Sequence, residues 1–249
     1  EHWARYRWAV PWVEGKDVLD AGCGVGYGLR LLASARPRRL IGVDLAPEAL
    51  ERARGVDAEL VQADLHKLPF EADSFDLIVC FEVIEHVFGH EQVLDELRRV
   101  LRPDGTLLIS SPNRDVYAPG NPHHVHEFLP DELRDALAED FESVTLFGQH
   151  VFLASAIARQ EELRSGEVSA CETALMAPVD PGRETYTLAV AGNGTAGERE
   201  RLIALADGFE LRWWHEQLAD ANARVAVAER QAEEEQGRLQ SRILVLEQG

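Results

Sequence analysis

The chain has 249 residues, 45% of them hydrophobic, enough for one sizeable α/β core with an appendage. A formal charge of -19 and a pI near 4.8 weigh against a nucleic-acid substrate, because an acidic surface repels phosphate backbones. No apolar run is long enough to cross a bilayer and no signal-peptide pattern opens the chain, although it begins at Glu1 without a Met and a preceding segment stays open.

The three cysteines, Cys23, Cys80 and Cys171, are scattered and form no CxxC pair, which fits reduced thiols in a cytoplasm. Cys23 and Cys80 lie in apolar stretches and read as small core residues.

An amino-terminal helix, residues 1–16, is rich in aromatics and Arg. At helical spacing His2 and Tyr6 share one face, and Trp8 and Trp12 another. From residue 17 strand and helix signals alternate: strands at 17–21, 39–44, 59–63 and 75–81, with helices at 27–35 and from Pro47 between them. The unbroken apolar run at 75–81 suits a central parallel strand. Residues 90–101 read as an amphipathic helix, Pro103-Asp104-Gly105 as a turn and 106–110 as a fifth strand. A helix at 130–138 and strands at 143–147 and 186–191 complete a Rossmann-like, doubly wound domain spanning 17–195.

Residues 149–182 are predicted as an insertion in this domain, able to cover a pocket. Residues 196–249 are predicted as a long charged helix. Leu211, Leu218, Val225, Ala232, Leu239 and Leu246 recur every seventh residue, a coiled-coil stripe that would make a homodimer. The companion seam is polar, with Asn222, Glu229 and Gln236, so a solitary helix is an equal reading.

The strongest motif is the stretch VLDAGCGVGYG, where a buried strand ends in Asp20 and turns through Gly22, Gly24 and Gly26 into a helix. Glycines there let a ligand approach the backbone. The spacing differs from the GxGxxG of dinucleotide sites, and a carboxylate precedes it. Asp20 would repel a pyrophosphate but suits the ammonium of S-adenosylmethionine (SAM). Asp44, at the end of the second strand, is placed to accept from ribose hydroxyls, with Leu45 beside it. Asp64 is placed to accept from the adenine amino group and Leu65 to pack on the ring. Each acid alone could be a helix cap or solvated loop residue; three at successive strand ends make a cofactor site.

Residues 17–112 resemble the class I SAM-dependent methyltransferases, in the branch with ubiquinone-biosynthesis and sugar- or secondary-metabolite-modifying O-methyltransferases. The phrases that carry this are VLDAGCGVGYG, IGVDLAPEAL, ADLHKLPF, FDLIVCFEVIEHV and LRPDGTLLISSPN. The resemblance implies a seven-stranded sheet whose last strand is antiparallel. It also implies that the first helix acts as a lid, with Tyr6 or Arg5 at the methionine carboxylate, and that residues from Phe81 onward border adenosine and acceptor.

Methyl transfer to a hydroxyl requires alignment and removal of a proton. His86 is the first candidate base and Glu85 its orienting partner, though His86 could equally organise a loop. His123, His124, His126 and Glu127 follow the fifth strand. His124 and Glu127 match a phrase common in related sequences, which makes His124 a candidate base, acceptor contact or loop anchor. A divalent-metal site built with Glu85 or His86 is a further reading, but the spacing is not HExxH and no metal is assigned.

The expectation is an O-methyltransferase acting on a small molecule such as a sugar, glycan or secondary metabolite, with neither nucleic acid nor membrane as partner. The alternatives are N- or C-methylation, or a SAM-binding interaction protein assembled through its C-terminal helix.

Overall fold

A computed structural model describes residues 2–117, 121–150 and 182–193, all within the compact unit Glu1–Ile203. Helix α1, His2–Ala9, runs into a short 3-10 turn and leads to β1, Asp17–Ala21. There follow α2 (Tyr27–Ser34), β2 (Arg39–Asp44), α3 (Pro47–Ala53), β3 (Glu59–Gln62) and β4 (Phe75–Phe81). After a 3-10 turn at Ile84–His86 come α4 (His90–Val100), β5 (Leu101–Pro112), α5 (Pro130–Ala138), β6 (Ser143–Gln149) and β7 (Tyr186–Gly192).

The seven strands form one sheet in the order β3-β2-β1-β4-β5-β7-β6. β7 runs antiparallel to both β5 and β6, and the other pairs are parallel. The expected sheet with its antiparallel last strand is therefore present. The insertion at 149–182, from residue 151 to 181, and the long C-terminal helix with its heptad stripe lie outside the described residues. No described helix is long and apolar enough to cross a membrane.

Strand periodicity of two divides the core into two layers. Ile78 and Cys80 of β4 face one side with Leu94 and Leu97 of α4 and Leu133 and Leu137 of α5. Leu77, Val79 and Phe81 face the other, with Leu29 and Leu32 of α2 and Tyr6 and Ala9 of α1. Cys23 and Cys80 are free and buried, and burial pushes both thiols up, so they serve as core residues. Trp8 packs on Trp12 at 4.8 Å and on Phe147 at 5.1 Å, while His2 and Tyr6 both meet Tyr27, as the helical spacing implied.

One predicted element differs. Pro103-Asp104-Gly105 lies inside β5, not in a turn before it. The β4–β5 register shifts between Phe75 and Leu77, and this irregularity absorbs the extra residues.

The connections reverse direction between β1 and β4, so the crevice for a ligand lies at the carboxyl ends of these two strands. Asp20 sits on one side of it and Phe81-Glu82 on the other.

Candidate active site

The turn after β1 takes a path that L-residues resist. Gly22, Gly24 and Gly26 have φ of 86°, 54° and 80°. The amides of Gly22 and Cys23 donate to the Val43 carbonyl, tying the turn to β2. A Cβ on Gly26 would lie 2.7 Å from that of Ala53, whereas one on Gly24 would meet nothing within 4 Å. Gly26 thus serves packing, and Gly24 borders open space for a ligand. Gly26→Val is expected to cost about 2–4 kcal/mol, combining left-handed strain with overpacking. A lowered midpoint in denaturant unfolding checks it; an unchanged midpoint would mean that the turn relaxes freely.

Asp20 is fully buried. Its Oδ1 accepts from the Tyr6 hydroxyl at 2.9 Å, and its Oδ2 has no hydrogen-bond partner. Burial pushes the carboxyl up to about 7; the Tyr6 bond opposes the rise and the charge of Asp44 adds to it. An orphaned buried oxygen beside an open glycine turn fits a ligand's ammonium. Tyr6 itself lies against Gly28 and Phe81, so it anchors α1 on the turn through Asp20. Phe81, 4% exposed, backs the Tyr6 ring.

Asp44 accepts from the amides of Gly24 (2.8 Å) and Ala46 (2.9 Å), one on each oxygen. These bonds fix the carboxylate and leave lone pairs for hydroxyls. Leu45 is 66% exposed, open for contact, while Leu65 turns into the core. Asp64 accepts the amide and Nδ1 of His66 on Oδ1, and these bonds, the amide's first, hold its carboxyl below the usual range.

Beyond β4 the chain bends sharply. Glu82 has φ 56°, and its Oε1 accepts from Ser110 Oγ at 2.7 Å. The wholly buried Arg5 pairs with Glu82 at 3.4 Å and stacks on Tyr186 at 4.2 Å. Sequence reasoning gave Glu82 no role; its place three residues before Glu85 was the available signal.

Glu85, His86 and His124 come together, each offering a ligand atom within 4.8 Å of the others. The amides of Val125 and His126 donate to the Glu85 carbonyl, which pulls loop 121–128 onto the end of β4. Glu85 is 1% exposed and neither carboxylate oxygen has a hydrogen-bond partner. Burial, then the charge of Glu82, pushes its carboxyl up to about 8.

His86 Nδ1 lies 2.9 Å from the His123 carbonyl and so carries a hydrogen, which in the neutral ring leaves the lone pair on Nε2, 3.9 Å from Glu85. His124 Nδ1 meets Glu127 at 2.5 Å, and its Nε2 meets the Asn121 amide at 2.8 Å. Of the two histidines His86 is the freer base. The ring of His126 turns elsewhere, stacking on His90 at 4.8 Å and bordering a cleft between α4 and α5.

Residues 19–109 match the family described as "Methyltransferase domain". A Mycobacterium tuberculosis protein named "Probable S-adenosylmethionine-dependent methyltransferase" is 39% identical over 145 residues, 55% of this chain and 53% of that protein. A ubiquinone biosynthesis O-methyltransferase of Actinobacillus pleuropneumoniae is 33% identical over 115 residues, 42% of this chain and 49% of that one. The chain thus spans about half the length of these curated relatives. The crystal structure of an S-adenosylmethionine-dependent methyltransferase from Mesorhizobium loti shares the fold, with a TM-score of 0.56 at 20% identity over 76% of this chain and 97% of that one.

Proposed function

We propose that this chain is a class I SAM-dependent methyltransferase, on the match of residues 19–109 to the methyltransferase domain and the likeness to its relatives, and that it methylates a hydroxyl of a small molecule such as a sugar, glycan or secondary metabolite. The observation that carries this reading is the convergence of Glu85, His86 and His124 at the end of β4, beside the crevice that takes the cofactor.

SAM supplies an activated methyl group on its sulfonium. Asp20 would hold its ammonium, Asp44 the ribose and Asp64 the adenine amino group, while Leu65, turned into the core, leaves the ring face to other residues. Tyr6 fixes Asp20, and α1 covers the site. His86 Nε2 takes the acceptor's proton, its tautomer set by the His123 carbonyl. Glu85 stabilises the imidazolium that forms. The buried free cysteines and acidic composition fit a cytoplasmic setting.

A second reading rests on Glu85 itself. A carboxylate that is 1% exposed, with both oxygens unpartnered and two imidazoles at hand, is a cation-binding arrangement. The bonds to the His123 carbonyl and Glu127 are the outer contacts that orient histidine ligands. A divalent cation held there would bind the acceptor oxygen and ease its deprotonation.

Isothermal titration with S-adenosylhomocysteine should show stoichiometric binding; none at millimolar ligand would sink the whole reading. Turnover is then followed by mass spectrometry of hydroxylated acceptors with and without EDTA. Insensitivity to chelation supports His86 as the base, while loss restored by Mg²⁺ or Mn²⁺ supports the cation.

A further inference from the structure

His66 lies between two acceptors. Its Nδ1 is 2.6 Å from Asp64 Oδ1 and its Nε2 is 2.6 Å from the Phe88 carbonyl oxygen. A carbonyl cannot donate and an ionised carboxylate cannot either, so both ring nitrogens carry hydrogen and the ring is an imidazolium. It bridges the loop after β3 to the segment that starts α4, where Gly89, in the left-handed region at φ 67°, caps the helix. The backbone amide of His66 also donates to Asp64 Oδ1, which leaves Asp64 Oδ2 for a ligand.

We propose that His66 is a proton-dependent positioning residue for the cofactor: as imidazolium it clasps the Asp64 loop to Phe88, so cofactor affinity declines once this ring loses its proton. The inference rests on the reading of Asp64 as the adenine contact. The neutral ring has one N–H for two acceptors, so one side of the bridge becomes a contact between lone pairs and opens. Asp64 is then held by the His66 amide alone, or by a ring no longer tied to Phe88.

Two further observations support the clasp. The bond to Asp64, and after it the Phe88 carbonyl, raise the ring above the usual imidazole range. The group acting from its own loop is Asp64; from the segment leading into α4 it is the uncharged Phe88 carbonyl. No ionisable side chain of α4 contributes among the described residues. Leu45 and Phe88 are also 66% and 78% exposed, apolar side chains left open on the two segments that flank Asp64. The first of these is itself tied to β3, since Gln62 Nε2 donates to the Leu45 carbonyl at 3.1 Å. The clasp thus fixes one wall of a site whose apolar groups still face solvent.

The sign is set by the direction of the shift. A histidine raised in the fold contributes its clasp fully below the unfolded imidazole value of about 6.5, and the contribution disappears as pH rises through the higher folded value.

The test is S-adenosylhomocysteine affinity for the wild type and His66→Gln from roughly pH 6 to 9, with the His66 ring followed by NMR in free and bound protein. The variant keeps one donor at every pH, as the neutral ring does, and the side chain is exposed enough to be replaced without unfolding the domain. The ligand's own amine loses its proton on the alkaline side, so the ratio of the two affinities carries the result. We expect the wild type to bind several-fold tighter at the acid end, the ratio to approach one at the alkaline end, and binding to raise the His66 titration midpoint further. A ratio independent of pH, or a midpoint unmoved by ligand, overturns the clasp while leaving the cofactor site intact. Absence of binding at every pH overturns the cofactor reading together with the clasp.

Discussion

Asp20→Asn is expected to weaken S-adenosylhomocysteine binding by about 10- to 100-fold, the loss of one charge-assisted hydrogen bond in a buried setting. The wild-type carboxyl is held near 7 by burial, with one oxygen on Tyr6 and the other unpartnered. A ligand ammonium binds the ionised form, so wild-type affinity should fall as pH drops below about 7, with up to tenfold lost per unit. The asparagine cannot titrate, and its curve should be flat there. The apoprotein moves the other way. An acid whose folded value is raised contributes most below its unfolded value near 4, and that contribution disappears as pH rises through about 7. Asp20→Asn should therefore unfold at a temperature equal to or higher than the wild type at pH 8. Calorimetric titration and thermal melts across pH check both. An asparagine variant that binds normally would remove Asp20 from the cofactor site.

In the proposed placement, with the ammonium at Asp20 and the adenine at Asp64, this acid limb and the alkaline limb assigned to His66 arise from opposite ends of the cofactor. Together they predict a bell-shaped affinity profile from which each variant deletes one side.

The strand ends that make this site were legible because each carries local chemistry. β1, β2 and β4 occupy the residues expected, being largely apolar runs bounded by Gly, Pro or charge, and α5 opens as expected at Pro130 with Leu133 and Leu137 on its buried face. The start of β5 was misread because Pro103-Asp104-Gly105 has turn composition, yet tertiary contacts keep it in the strand: Arg102 reaches Asp76 and Asp17 at the amino ends of the neighbouring central strands β4 and β1.

The glycine turn and its three acids announce a cofactor through spacing alone. What spacing does not carry is which groups meet across the chain. Asp20 was read only as a partner for the ligand ammonium, and the fold adds that one of its oxygens is taken by Tyr6 from α1. Arg5 and Glu82 pair only because α1 folds over the end of β4. His124 joins His86 through two backbone amides on the Glu85 carbonyl, a contact that side-chain patterns cannot reveal. His66 carries no signal of its own in the sequence, because the second of its two acceptors, the Phe88 carbonyl, comes from a segment 22 residues away.

The largest catalytic loss should follow from the β4 cluster. His86→Ala is expected to lower kcat by about 10²–10⁴-fold, the range for removing a general base, with cofactor affinity unchanged because His86 makes no contact in the proposed cofactor wall. Glu85→Gln tests the same centre from behind. The Glu85 carboxyl is held up to about 8 by burial and by Glu82, so the ionised form that steadies an imidazolium or a cation is gained as pH rises through that value. Wild-type kcat should climb to about pH 8 and the glutamine variant should lack that limb. Stability runs in the opposite direction, because a raised acid is most favourable below its unfolded value near 4.5 and becomes a burden above about 8. Glu85→Gln should then melt higher than the apo wild type at pH 9 while turning over poorly, the signature of a residue kept for chemistry at a cost in stability. Added Mg²⁺ separates the two readings of the centre: a cation site raises the wild-type melting temperature and leaves the glutamine variant where it was. If Glu85→Gln lost stability and activity in parallel at every pH, the carboxylate would be a structural strut and His86 would act without it.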